Sequence, residues 1–324
     1  MTPKFRRQYG NRPMSSRLFA LAAFGLGALA SLALAPLALA SPALASPATA
    51  GAAEPLQAIL LGQAVLPAET TVEPPSDAPT FLASSGKFVY GDRSTKNPAA
   101  GSDLPIIGQP VQGLSGIKTL GNGRYLMVAD NGFGARNNSA DAMLMLHEVE
   151  PDFETGTVTR HRTLFLNDSQ VRAPFPIAME GSESRYLTGA DFDTESFQVL
   201  PDGRIAIGEE FGPAVFIVAG ETGTLELVHK TVVDGVEVRS PDHWRQRPPS
   251  PHEENSANLK RSRGFEAMGL RPAFSASAEP TLWAMLEGPI WLEENSAYET
   301  VDGKTALRLL ELDAQTLDDT ALMI

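Results

Sequence analysis

After Val111 the chain alternates short apolar runs with turn residues, the signature of strands with one buried face. The clearest hairpin lies within Ser184 to Gly212. Ser196 to Leu200 reads as a short apolar strand, Pro201-Asp202-Gly203 as a turn, and Arg204 to Gly208 as the returning strand that ends in Glu209 and Glu210. The pattern then repeats. Ser115-Gly116-Ile117 to Asp130-Asn131-Gly132 and Glu195-Ser196-Phe197 to Glu210-Phe211-Gly212 share a fifteen-residue spacing. Glu266-Ala267-Met268 to Glu287-Gly288-Pro289 is six residues longer, which the loop-like stretch at 275–280 absorbs. Two more strands follow each unit: Ala142–Val149 and Val158–Leu166, then Ala214–Ala219 and Thr224–Lys230, then Ala306–Leu312 and an incipient Ala321–Ile324. Four antiparallel strands per unit, at intervals of 80 and 71 residues, predict an all-β chain of β-propeller blades, three of them present.

Upstream of Val111 the periodicity fades. Leu56–Leu66 is an apolar segment with strand character, and the following residues to Pro105 read as irregular loop with one short strand at Phe88–Tyr90. At the N-terminus Lys4, Arg6, Arg7, Arg12 and Arg17 precede the apolar run Leu18–Ala40, and A-x-A sites end at Ala40, Ala45 and Ala50. That is a signal-peptide pattern. An uncleaved anchor is the alternative, because a run of about 23 apolar residues can span a bilayer. Pro36, the Ala/Gly content and the Ala/Pro-rich tether suit export and cleavage better. The expected organisation is therefore signal peptide and tether at 1–50, an N-terminal strand and irregular lead-in at 51–110, and incomplete propeller blades at 111–324. The mature product is expected to be periplasmic or extracellular, with no stable membrane insertion after cleavage.

Charge sharpens the picture. The chain carries 26 Lys+Arg against 39 Asp+Glu, and its first fifty residues hold five of the basic residues and none of the acidic ones. Without them the net charge is about −18, which argues against a nucleic-acid partner and leaves room for a cation or for an anionic substrate bridged by one. The absence of cysteine removes disulfides, thiolate metal sites and cysteine nucleophiles.

The acids fall at the repeat boundaries. Asp191, Asp193 and Glu195 occupy alternate positions, so in an extended segment they share a face at a spacing of roughly 6 to 7 Å. In an antiparallel hairpin they lie beside Glu209-Glu210, which suits a hard cation with oxygen ligands. Propeller geometry brings equivalent positions round one axis, so that Asp130, Glu210 and Glu287 form one ring and Ser115, Glu195 and Glu266 another. The compensating charge is either a cation or the guanidinium groups of Arg136, Arg239 and Arg263. The plainer alternative is that these acids solvate strand ends or accept backbone hydrogen bonds that pin the strands. Other chemistries lack their motifs. Gly113-Leu114-Ser115-Gly116-Ile117 is not a nucleophile elbow, His147, His161, His229, His243 and His252 are scattered with no zinc spacing, and Ser196 replaces the glycine that an EF-hand loop needs. The linker from Asp234 to Arg263, which carries Arg245, Arg247, Lys260 and Arg261, is basic enough either to attract an anion or to serve as a solvated crossover.

These segments together resemble the phytase-like propellers described as the "esterase-like activity of phytase" family. The resemblance rests on V-Q-G-L-S-G-I at Val111–Ile117, A-D-N-G at Ala129–Gly132, L-T-G-A-D-F-D-T-E-S at Leu187–Ser196 and G-E-E-F-G-P at Gly208–Pro213. It continues in V-R-S-P at Val238–Pro241, S-R-G-F-E-A-M at Ser262–Met268 and L-E-G-P at Leu286–Pro289. The resemblance implies about six blades, hence a truncated gene or reading frame, an open arc with unpaired edges, and no last blade for Leu56–Leu66 to join. It also implies a secreted calcium-dependent ester or phosphoester hydrolase. The metal is expected on Asp130, Asp191, Asp193, Glu195, Glu210 and Glu287, acid–base work on Glu195, Glu210 and Glu266, and a small anionic ester or phosphoester on Asn131, Arg136, Arg239 and Arg263. The alternative is a non-catalytic propeller that binds a ligand or envelope partner, with calcium purely structural.

Overall fold

In the computed structural model the alternating segments become twelve strands in three sheets, and helix among the described residues is confined to short 3-10 turns. Described are residues 59–89, 103–244, 257–273 and 280–323. The N-terminal segment with the signal-peptide pattern, Tyr90, Arg245, Arg247, His252 and Ile324 lie outside them. No helix among the described residues is long and apolar enough to cross a membrane.

The first sheet comprises β1 (Leu114–Gly121), β2 (Arg124–Ala129), β3 (Met145–Asp152) and β4 (Thr157–Phe165). The second comprises β5 (Thr194–Val199), β6 (Ile205–Glu209), β7 (Ala214–Val218) and β8 (Leu225–Lys230), and the third β9 (Phe265–Arg271), β10 (Thr281–Leu286), β11 (Arg308–Asp313) and β12 (Asp319–Met323). Each is an antiparallel meander in chain order. Turn chemistry sets the reversals: Gly121, Asn122 and Gly123 all have positive φ (83°, 52° and 79°), and Gly203 does so (88°) after Pro201-Asp202.

Strand alternation gives every sheet two faces, and the middle sheet buries both. Phe197, Ile205, Ile207 and Phe216 on one face pack with Val128 and Leu146 of the first sheet, where Phe192 and Phe216 stack at 4.4 Å. Ala206, Val215 and Ile217 on the other face pack with Leu282, Leu286 and Leu312 of the third. Each large side chain fully withdrawn from water contributes about 1.5–3 kcal/mol, so the two interfaces carry most of the core. The first strands of successive sheets also touch. Lys118 Nζ donates to Gln198 Oε1 (2.9 Å), Gln198 Nε2 to the Met268 carbonyl (2.9 Å) and Ser196 Oγ to the Phe265 carbonyl (2.6 Å).

Two expectations upstream of the sheets are corrected. Within Leu56–Leu66 the described residues form no strand: Val65 makes a single parallel bridge to Thr157 of β4, beside the first sheet. Ile59, Leu60 and Leu61 are exposed, so nothing covers the apolar run that would reward strand formation. Phe88 lies in a turn and Val89 outside any strand. The lead-in instead pairs through two-residue strands, Thr71–Val72 with Gln109–Pro110 and Ser84–Ser85 with Ile106–Ile107. The linker from Asp234 likewise holds part of a small hairpin, Val232–Val233 paired with Val236–Glu237.

Candidate functional site

The repeat seen in the sequence is reproduced residue by residue in the strand register. In the first sheet Leu114 pairs with Ala129 and Gly116 with Val128, which leaves Ser115 as an extra residue. In the second, Thr194 pairs with Glu209 and Ser196 with Gly208, leaving Glu195. In the third, Phe265 pairs with Leu286 and Ala267 with Met285, leaving Glu266. All three are β-bulge residues, and a bulge re-aims the side chain it frees from the ladder. The strand opposite closes in the same way each time: Asp130 N donates to Gly113 O (2.7 Å), Glu210 N to Asp193 O (3.0 Å) and Glu287 N to Gly264 O (2.9 Å).

At that closing position the three sheets differ, and the difference builds the site. Gly113 leaves room for Asp130 opposite, and Gly264 for Glu210 of the neighbouring sheet. A Cβ on Gly113 would lie 2.2 Å from Asp130 Oδ1, and one on Gly264 would lie 2.4 Å from Glu210 Cα. The middle sheet has Asp193 instead, and so gains another carboxylate. Oxygens of Asp193, Glu195 and Glu210 lie within 4.8 Å of one another, and Glu210 forms a second such group with Glu266 and Glu287. Glu210 is thus shared between a buried triad and a more exposed one at the rim.

Several donors hold the triad. Asn131 gives Asp193 two hydrogen bonds, from its backbone N to Oδ1 (3.2 Å) and from Nδ2 to Oδ2 (2.8 Å). The Ser115 hydroxyl bonds Glu195, while Gly264 N (3.4 Å) and the Ser262 hydroxyl reach Glu210. Among the described residues no Lys or Arg pairs with any of the three acids. Burial followed by mutual repulsion therefore pushes Asp193 and Glu195 well above the ordinary carboxylate range, and Glu210 up to about 7. Glu266 is raised by burial and by Glu287, and Asp130 by burial against the pull of Gly132 N.

The remaining sequence candidates separate. Asp191 does not join the cluster: β5 begins only at Thr194, and Asp191 sits in the preceding turn. Its oxygens accept from Ala178 N (2.7 Å), Thr188 N (2.8 Å) and Thr188 Oγ1 (3.1 Å), so it fastens loops together. The strict alternation of Asp191, Asp193 and Glu195 fails because the segment is not extended throughout. Arg136 is spent on the carbonyls of Ala190 (2.9 Å) and Asp242 (3.2 Å), and Arg239 pairs with Glu237. Arg263 alone of the three arginines reaches the cluster, pairing with Glu287 at 2.8 Å.

The sequence reading did not single out Ser262, because its contact to Glu210 crosses between sheets. It did place Glu210, and not Glu209, in the acidic ring. Glu209 is buried and accepts from Phe211 N (2.7 Å) and Gly212 N (2.6 Å), which pins the turn after β6. Strand-end pinning is thus the part of Glu209 and Asp191, whereas Asp193, Glu195 and Glu210 face one another.

A hard cation fits this chemistry: the donors are all carboxylate oxygen, crowded, largely buried and without a basic partner, and such a set is costly to ionise alone. Residues 109–322 match the family model described as phytase-like, esterase-like activity of phytase. No curated protein and no solved structure is significantly similar to the chain. With about two thirds of its length covered by that match and the acidic repeat reproduced in three dimensions, the chain belongs to the phytase-like, "esterase-like activity of phytase" family.

Proposed function

We propose that this protein is an exported, calcium-dependent hydrolase of small anionic esters or phosphoesters, its three sheets being blades of a β-propeller with the acids at one end of the inner strands. The observation that carries the reading is the Asp193–Glu195–Glu210 triad, three carboxylates within 4.8 Å that raise one another's proton affinity. Family membership supports an ester or phosphoester as substrate, and the signal-peptide pattern supports export.

Asp193, Glu195 and Glu210 would hold the ion, with Asp130 beside them and Glu287 at the rim. An ion held there would supply Lewis-acid chemistry, polarisation of a substrate oxygen and acidification of water. The chain's own residues do the rest. Asn131 fixes both oxygens of Asp193, so the triad keeps its shape without a ligand. Glu266 lies at the exposed edge of the cluster with its proton affinity raised, and is placed to accept a proton from water. Arg263, half exposed beside Glu287, can swing its guanidinium onto an anionic substrate group.

The test is turnover of a phosphomonoester and a carboxylate ester in millimolar calcium and in chelator. Hydrolysis is expected only with calcium, and Glu195→Gln and Glu210→Gln are each expected to lower kcat by about a hundredfold or more. Unchanged rates in both variants would overturn the role of the triad, and no hydrolysis by the wild type would favour a non-catalytic propeller in which calcium is a structural staple.

A further inference from the structure

Apart from the acidic cluster, two small hairpins enclose a cavity of about 520 Å³. One pairs Val232–Val233 with Val236–Glu237, and the other pairs Trp291–Leu292 with Ala297–Tyr298 through a 3-10 turn at Glu293–Asn295. Asn258 laces them together. Its Oδ1 accepts from Arg239 N (2.7 Å), its Nδ2 donates to Glu237 O (3.1 Å) and its carbonyl accepts from Trp291 N (2.7 Å). The cavity is thus framed by hydrogen-bonded backbone, and its size falls in the range of small-molecule sites. None of the acids that meet in the candidate site lines it.

Val233, Val238 and Ile290 line the cavity from the core side. Its walls leave apolar surface in water, with Val236 59% and Trp291 36% exposed. Charge decides what kind of body suits them. Four carboxylates line the cavity against one guanidinium, and that guanidinium, on Arg239, is taken by Glu237. Asp234 shares Arg308 with Glu299, while Glu293 and Glu294 pair with no Lys or Arg among the described residues. The second hairpin already holds one cation on a ring. Lys260 Nζ lies 4.7 Å from the ring centre of Tyr298, which meets Trp291 edge to face at 5.1 Å. An indole beside uncompensated carboxylates attracts a cation twice over, through its quadrupole and through their charge.

We propose that this cavity binds an organic cation, an ammonium group carried on an apolar body, with the body against Val236 and Trp291 and the ammonium toward Glu293 and Glu294. A bare metal ion would leave the apolar walls in water. An anion would meet carboxylates and a guanidinium that is already paired. A neutral apolar molecule would cover the walls but leave the carboxylates uncompensated. The inference stands apart from the hydrolase reading, since it uses other residues and needs no calcium.

Benzylammonium, benzyl alcohol and benzoate present one ring with a positive, a neutral and a negative group, and titration calorimetry of each into the wild-type chain at neutral pH in chelator tests the proposal without any variant. Benzylammonium is expected to bind with a Kd of about 1 mM or below, benzyl alcohol about tenfold or more weakly, and benzoate not at all. Two exposed-site variants then locate the binding. Trp291→Leu keeps the charge and removes the ring, and the Glu293→Gln/Glu294→Gln double variant keeps the ring and removes the charge. Each is expected to weaken benzylammonium by about tenfold with circular dichroism unchanged. No saturable binding of benzylammonium up to about 10 mM, equal affinity for benzyl alcohol, or undiminished affinity in Trp291→Leu would overturn the proposal, the last by showing only general attraction of amines to an acidic surface.

Discussion

Asp193 and Asp191 are two residues apart and do opposite things, and their hydrogen-bond partners explain why. Asp193 is held on one side by Asn131 and left to face Glu195 and Glu210, whereas Asp191 is filled by donors from its own loops. Asn131→Ala is accordingly expected to weaken calcium binding by about 10–100-fold with the fold intact. Asp191→Asn is expected to cost about 1–3 kcal/mol of stability and to leave calcium affinity nearly unchanged. Titration calorimetry and urea unfolding of the two variants separate these outcomes, and equal losses of affinity would contradict them. The triad also sets a pH dependence. Its groups have folded-state proton affinities above those of the unfolded chain, so the native state holds protons that the unfolded state has released. Stability from such groups is complete below the unfolded carboxylate range near pH 4 and is lost as pH rises through the folded values. Glu210, raised to about 7, and Glu195, raised to about 8, mark the upper end of that window. In chelator the melting temperature is expected to fall between about pH 4.5 and about pH 8, and excess calcium to remove most of the fall, because the cation competes with protons for the same oxygens. A melting temperature in chelator that holds steady or rises across that window would count against the crowded-carboxylate account.

At the scale of elements, the β-bulges and the closing glycines position the site. A regular ladder would tie Ser115, Glu195 and Glu266 each to the face that its strand's alternation dictates; the bulge frees each of them from that alternation at the strand's end. Gly264 lies close against Glu210, so Gly264→Ala forces backbone apart and is expected to cost about 1–3 kcal/mol and to lower calcium affinity as Glu210 shifts. Gly181→Ala, where a Cβ meets nothing within 4 Å, is the control. Equal unfolding midpoints for the two would show that the close approach is unimportant. Much at this scale was legible in the sequence. The hairpin around Pro201-Asp202-Gly203, the turn at Gly121-Asn122-Gly123 and the spacing of Glu195 to Glu210 all follow from local turn chemistry and strand period, which depend on near neighbours. Leu56–Leu66 shows the opposite case: apolar composition suggested a strand, but a strand needs a partner edge, and among the described residues only Val65 finds one.

Over the whole molecule, the three sheets form a row in which the middle one is buried on both faces, and the lead-in covers part of the first sheet's outer face at Met145 and Phe165. The acidic cluster belongs to that row, since its members come from three sheets: Asp130 and Ser115 from the first, Asp193, Glu195 and Glu210 from the second, Glu266 and Glu287 from the third. By itself the sequence determined the all-β class, the boundaries of the repeat, the turns and the set of acids from which the site is drawn, because periodicity and residue type act within a few residues of one another. Only the tertiary structure decided which acids meet. Arg136 and Arg239 were candidates by charge, yet carbonyls and Glu237 claim them, while Arg263 reaches Glu287. Asp191 shares a motif with Asp193, yet a turn separates their directions. Such choices depend on register across strands and on packing between sheets, where residues about 70 to 80 positions apart come into contact, and no local pattern encodes which of several chemically equivalent groups the packing will bring face to face.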